Sequence, residues 1–302
     1  MAAKVETTVG TDASLANADA SFNAYDVIMQ ATIPTETREA QGSFNHLSSV
    51  PGGRMDTATF KTDISYDGTA TVPTWASTLL PACGWVNSSG TFTPRSEATG
   101  SNVKSVTIGC YMSGMLKKIV GAVGSFRIVL PTGRMAYVEW TFKGVWVTPT
   151  DTAILTPTYP TASPIRFASG TCTFNSDALK VENVTINSGN EITMREDPAT
   201  ASGYCAGLVT SRLPTITANP ETDLVATRPT YTDWVDGTEA ALSIVLDGPT
   251  DSDITISAPK AQIVNAQEGD RNRIVTDDIE WRCQKNGATA DQELSIVFNE
   301  AT

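Results

Sequence analysis

His46 is the only histidine in the chain. A serine or cysteine hydrolase needs an imidazole base that a third group orients, and a lone histidine in a loop-like stretch is expected to be solvated instead. The five cysteines, Cys83, Cys110, Cys172, Cys205 and Cys283, are widely spaced and form no CxxC pair. With one histidine they make no zinc set, so reduced, partly buried thiols are expected. Gly121-Ala122-Val123-Gly124 lacks the third glycine and following helix of a phosphate cradle. Acidic residues gather at Asp247, Asp251 and Asp253, and again at Asp277, Asp278 and Glu280. Neither group has the alternate spacing of a calcium loop, and solvated turn carboxylates are expected. The residues thus imply no catalytic site, no metal and no cofactor.

Aromatic and basic residues offer binding chemistry instead. Trp140 and Trp281 lie in alternating segments, where core packing is expected. Trp85 and Trp146 lie near element ends and are candidates for an interface. Lys117-Lys118 interrupts an apolar stretch and reads as the guard of an exposed strand edge. The net charge is −12, with residues 1–160 near balance at −1 and residues 161–302 at −11. An acidic surface argues against tight phosphate binding, because nucleic-acid affinity rests on cations that displace counterions.

One signature occurs twice. Arg38-Glu39, Arg54, Asp63 and Trp75 are echoed by Arg195-Glu196, Arg212, Glu221 and Trp234 at offsets of 157 to 159 positions. Glu139-Trp140 is echoed by Glu280-Trp281 at an offset of 141. The order is kept, and this predicts two copies of one module, the second shorter.

The elements that would carry these residues are short strands between Gly, Pro and Asn-Gly or Asp-Gly turns. Strands are predicted around Tyr25–Met29, Thr57–Tyr66 (ending at Asp67-Gly68), Val103–Met112, Phe126–Leu130 and Val138–Phe142. The second half repeats the style at Val181–Ile186, Thr215–Ala218, Leu242–Leu246, Ile254–Ile256, Ile274–Trp281 and Leu294–Phe298. Trp75, Ala76, Leu79, Leu80 and Cys83 recur at helical spacing, with Pro73 at the start and Gly84 at the end. A second short helix is expected over Pro229–Trp234. Residues 34–53 and 189–210 read as loops. The predicted organisation is a flexible arm over 1–20, a first module over 21–148, a Pro-rich linker over 149–178 and a second module over 179–302. Met1–Ala20 lacks the features of a secretory signal, and no stretch is apolar enough for a membrane helix.

Several stretches resemble major tail tube proteins of long-tailed bacteriophages. They are Phe60–Gly68, Trp75–Gly84, Phe92–Ser96, Ser105–Ile108, Lys118–Phe126 and Tyr137–Gly144. The likeness is densest over residues 57–147 and looser over 180–283, at Val184–Arg195 and Ser257–Arg273. It implies a mainly β fold, with two tandem β-sandwich or barrel modules and a short helix beside each. It implies a virion protein, made in the host bacterial cytoplasm, that self-assembles into stacked rings forming a conduit for DNA ejection. Implied partners are other copies, tail terminator and tail tip proteins at the tube ends, and, in the lumen, a tape measure protein and passing DNA held without sequence specificity. No membrane partner is implied. Rings of this kind are commonly six-fold in modules, so two modules per chain predict a homotrimer with a pseudo-hexameric ring, and a hexamer is the runner-up. An acidic bore would let DNA slide.

On this resemblance, loops 34–53 and 189–210 and the arm 1–20 are expected to bridge rings. Arg38, Glu39, Arg54, Arg195, Glu196 and Arg212 are the candidate inter-ring contacts. Val106, Ile108, Glu139, Ile256 and Glu280 mark candidate bore or ring-interface strands. The alternative function is a β-rich carbohydrate-binding or adhesion module, which exposed tryptophans in a groove would favour.

Overall fold

The structure is a computed structural model that describes residues 1–66, 72–96, 104–248, 252–288 and 290–299. The expected turn at Asp67-Gly68, the strand start at Val103, and Pro249 and Asp251 lie outside the described residues. The chain opens with β1 (Ala2–Val5), β2 (Ala24–Thr32), β3 (Thr35–Glu39), β4 (His46–Pro51) and β5 (Met55–Asp63). Next come α1 (Thr74–Ala82), β6 (Trp85–Ser88), β7 (Thr91–Pro94), β8 (Val106–Met112), β9 (Met115–Pro131) and β10 (Tyr137–Asp151). The second half begins with β11 (Thr171–Phe174), β12 (Asp177–Ala178), β13 (Asn183–Asn187), β14 (Asn190–Glu196), β15 (Tyr204–Arg212) and β16 (Thr215–Ala218). It ends with α2 (Thr230–Asp236), β17 (Glu239–Asp247), β18 (Asp253–Arg271), β19 (Ile274–Cys283) and β20 (Ser295–Phe298). The fold is mainly β, as expected.

One antiparallel sheet runs through most of the molecule in the order β12-β11-β17-β18-β19-β16-β13-β9-β10-β5-β2. β8 pairs with β9 beside β13, and β1 pairs with β8. Two runs of this sheet have the same order of chain segments. Strands β8-β9-β10-β5-β2 form one, and β17-β18-β19-β16-β13 the other. In each, a helix precedes the hairpin-forming strands, and a separate hairpin leaves the sheet before its fourth strand, β3–β4 in one and β14–β15 in the other. The two runs meet where β13 pairs with the end of β9, with Val184 opposite Leu130 and Ile186 opposite Ile128.

Strict alternation produces the core. β5 buries Asp56, Ala58, Phe60 and Thr62, and turns Thr57, Thr59 and Lys61 the other way. β10 buries Val138, Trp140 and Phe142. Phe60 stacks at 6.4 Å from Trp140 and 5.8 Å from Phe142, and the Trp140 indole donates to Thr62 Oγ1 at 2.8 Å. That hydrogen bond lets the ring sit at 1 % exposure without an orphaned N–H. Trp281 is equally buried, so both strand tryptophans pack as expected. Trp85 is also a core residue, 5.4 Å from Phe126, and not the interface residue its position suggested.

α1 forms because Trp75, Ala76, Leu79 and Leu80 present one apolar face, and all four are buried. Pro73 is its N-cap, one place before the position expected for it. α2 ends on Gly237, whose φ of 65° supplies the left-handed closing residue.

Several expectations change. Residues 2–5 of the supposed arm are a strand paired with β8, and Ala2 and Ala3 are buried. β1 pairs along the edge of β8, while residues 13–15 lie over its second face, with the Ala13 amide donating to Thr107 Oγ1 at 3.1 Å and Leu15 against Gly109, so Val106 through Cys110 are all buried instead of alternating. Residues 34–53 and 189–210 are hairpins, not loops. Within 149–178, β10 extends to Asp151, and β11 joins the sheet against β17. At Lys118, β9 is paired on both sides, with Gly109 and Val147, so Lys117-Lys118 guards no edge. Lys118 instead contacts Asp12 of the N-terminal segment. Strand β20 pairs with β18 of the second half and β7 of the first. Its Phe298 lies 5.4 Å from Tyr66 and 5.8 Å from Trp75 and Phe92, stitching the two halves together.

Candidate assembly interface

The sheet has one core face and one polar face. Across the polar face Arg127 of β9, Glu139 of β10, Lys61 of β5 and Asp26 of β2 form a ladder, with contacts of 3.5, 3.8 and 3.1 Å in that order. Period-2 alternation puts the Arg127, Glu139 and Lys61 side chains on one side, and the register sets Glu139 opposite both Arg127 and Lys61, while Asp26 reaches Lys61 from a bulge in β2 between Tyr25 and Ile28. The Lys61 ammonium has its pKa raised, first by its hydrogen bond to Asp26. Exposed pairs of this kind contribute little to stability, so the ladder orders side chains more than it stabilises the fold. In the other run the same face carries Thr217, Asn265, Asp278 and Glu280, which line a shallow polar hollow.

Of the strand residues expected at a bore or ring interface, Glu139 and Glu280 are on this polar face. Val106, Ile108 and Ile256 are not; all three are at most 1 % exposed and point into the core. The strands alternate, so one face of each is apolar interior, and these three residues fall on that face.

The arginines divide similarly. Arg38 and Glu39 are exposed on β3, and Arg195 and Glu196 are exposed on β14. Arg54 is held within the chain: its amide donates to Ser202 O at 2.9 Å, its guanidinium to Ala201 O at 2.8 Å, and it lies 6.0 Å over the Trp146 ring. Arg212 is nearly buried between Glu293, which accepts from Nε at 2.7 Å, and Asp291 at 3.1 Å. Burial raises the Asp291 pKa, but hydrogen bonds from Ser96 and Arg212 and the Arg212 charge outweigh it and hold the carboxyl below its ordinary value. Both arginines are held by partners within the chain.

Sequence reasoning missed Glu6. It is buried, and it accepts from the amides of Gly10 and Gly121, both at 2.7 Å, and from the hydroxyls of Ser105 and Thr107 at 2.5 and 2.8 Å. A single glutamate in a small, polar segment carries no local signal of this role.

Two edges of the sheet are open. Among the described residues β2 is paired only with β5. Beyond Gln262, β18 is paired only with β19 among the described residues, so residues 265–271 have a free side. Both ends expose apolar side chains: Ile28 and Ile33 at the β2 end, and Tyr231 and Val235 on α2, which packs on β18. A free antiparallel edge is a template for pairing with another chain, and edges in soluble proteins are usually guarded.

Among the described residues no group of three or more His, Cys, Asp or Glu is placed to hold a metal ion. Burial pushes the Cys172 and Cys283 thiols up to about 12, and all five cysteines are free. Such thiols are poor nucleophiles. No helix among the described residues is long and apolar enough to cross a membrane.

An antiparallel sheet with one polar face, open edges and flanking helices defines a mainly β protein. The chain belongs to the family described as phage tail tube protein, whose pattern it matches over residues 1–283. It is therefore a structural component of a virion. No curated protein matches it.

Proposed function

We propose that this chain closes, with two further copies, a ring of six like modules that stacks into the tail tube and guides DNA on ejection. The observation that carries the reading is the repeated strand order, with β8-β9-β10-β5-β2 joined to β17-β18-β19-β16-β13 through β13 on β9. The two runs are the tandem modules of this reading. The junction inside the chain is a head-to-tail contact, and its two halves recur unused at the ends. β2 corresponds to β13, and the free side of β18 at 265–271 corresponds to the stretch of β9 that receives β13. Repeating one head-to-tail contact builds a closed ring when its rotation divides the circle. Ring closure removes both edges and continues the sheet as a barrel.

The polar face then lines the bore. Its ladder carries both signs, so a passing DNA phosphate meets carboxylates beside each cation, which supports sliding over holding. The tube ends present the surfaces for terminator and tip proteins, and the lumen holds the tape measure protein before DNA. The carbohydrate-binding alternative has less support, because Trp75, Trp85, Trp140 and Trp281 are buried, and of the two half-buried tryptophans Trp146 lies under Arg54 and Trp234 is on α2. The test is size-exclusion chromatography with light scattering, followed by end-on electron micrographs. A particle of three 32.1 kDa chains, with six lobes end-on, supports the reading. A six-chain ring keeps the tube and removes the trimer.

A further inference from the structure

The two hairpins that leave the sheet have opposite fates. β14–β15 folds back over β9 and β10. A Cβ on Gly207 would stand 2.6 Å from Val123 Cγ2 and 3.2 Å from the Lys143 carbonyl oxygen, an approach that only glycine allows. Asn190 Nδ2 anchors the base of the hairpin, donating to Cys83 O at 2.8 Å and Gly124 O at 2.9 Å. The tip closes on Arg54, as described above. The β3–β4 hairpin holds the same place in its own run, yet every residue of both its strands is exposed. Phe44 at its tip is fully exposed, and Leu47 and Val50 stand open on β4. A two-stranded hairpin with apolar side chains in water is marginal alone and needs a surface to cover.

We propose that β3–β4 is a lateral clasp, folding over β18 and β19 of the next copy in the ring as β14–β15 folds over β9 and β10 within the chain. This inference rests on the ring reading above. It reassigns residues 34–53 from contacts between rings to a contact within one ring.

The register locates the receiving surface. Gly124 opposite Phe142 corresponds to Ala261 opposite Cys283, so Val123 corresponds to Lys260. The Gln284 amide donates to Lys260 O at 2.7 Å, as the Lys143–Val123 pairing requires of its counterpart. Arg282 and Lys285 are exposed beside it. Lys260 pairs with Glu239 at 2.7 Å, which leaves Arg282 and Lys285 as the cations that Glu36 and Glu39 of the hairpin, flanking its Arg38, would meet. On the hairpin, Ser49 stands five residues before Arg54, as Gly207 stands five before Arg212.

The test introduces Ser49→Cys and Lys260→Cys together in the full chain, with Cys205→Ser to remove the one native thiol that is not buried. Assembled particles are treated with a short bifunctional thiol reagent and run under denaturing conditions. A lateral clasp gives a covalent ladder that ends at the trimer. Mixing chains that carry only one cysteine each gives cross-linked dimers only when both types are present. Rings that assemble but give no cross-link overturn the clasp, as does a ladder running past the number of chains that the micrographs and light scattering count in one ring, which would place the hairpin on a neighbouring ring. Failure of the unmodified chain to form rings in micrographs sinks the ring reading, and the clasp with it.

Discussion

The Glu6 carboxylate ties the first strand to the sheet, and replacing it isolates that effect. Glu6→Gln keeps the shape and removes one acceptor oxygen. Each oxygen of Glu6 receives one backbone amide and one hydroxyl: Gly121 and Thr107 on one, Gly10 and Ser105 on the other. A hydroxyl can rotate and accept from the new NH2 group, but a backbone N–H cannot. Whichever way the glutamine amide turns, one of the two backbone amides loses its acceptor and faces a donor. An unsatisfied buried donor costs about 1–3 kcal/mol, and the remaining bonds lose their charge assistance, so the expected loss is about 2–4 kcal/mol. Urea denaturation should show a lower midpoint at unchanged slope. Hydrogen exchange should show faster exchange at Ala3–Val5, because β1 pairs with β8 through those residues. A variant within about 0.5 kcal/mol of the parent, the ordinary range for a neutral surface change, would refute the latch and restore a loose arm.

Phe298→Ala should destabilise the chain by about 3–5 kcal/mol, because the ring fills the space between Tyr66, Trp75 and Phe92; calorimetry reads it, and a loss below 1 kcal/mol would show that β20 does not join the halves. Asp291 has a folded pKa below its ordinary 3.8, so its stabilising contribution is present above pH 3.8 and is lost as pH falls through the folded value. Asp291→Asn should therefore lose less stability than the parent in that acid window, and parallel acid titrations of the two proteins measure the difference. Gly207→Val should cost at least about 1–3 kcal/mol by overpacking against Val123; an unchanged thermal midpoint would mean that β14–β15 does not rest on β9. Arg228→Met should cost about 3–5 kcal/mol by leaving the buried Asp277 carboxylate, 3.2 Å away, unpaired; a denaturation midpoint equal to the parent's would remove that role.

The sequence by itself determined the local elements. Period-2 alternation placed β5, β10 and β19, and helical spacing placed α1. The echo of Arg38 through Trp75 in Arg195 through Trp234 also drew attention to what the sheet shows as two runs of one strand order. The residue roles within that echo were not legible. Arg54 and Arg212 look equivalent in sequence, yet one grips a hairpin tip and the other two carboxylates, because their partners come from segments 147 and 79 residues away. Alternation says that a strand has an apolar face but not what covers the other face, so Thr107 and Gly109 of β8 carry no sign that Ala13 and Leu15 lie over them. Only the tertiary structure decided which edges meet: β13 on β9, β20 on β7, and β2 and β18 left open. Strand pairing is non-local and satisfies backbone groups that every residue carries alike, so it leaves little mark on the side-chain pattern.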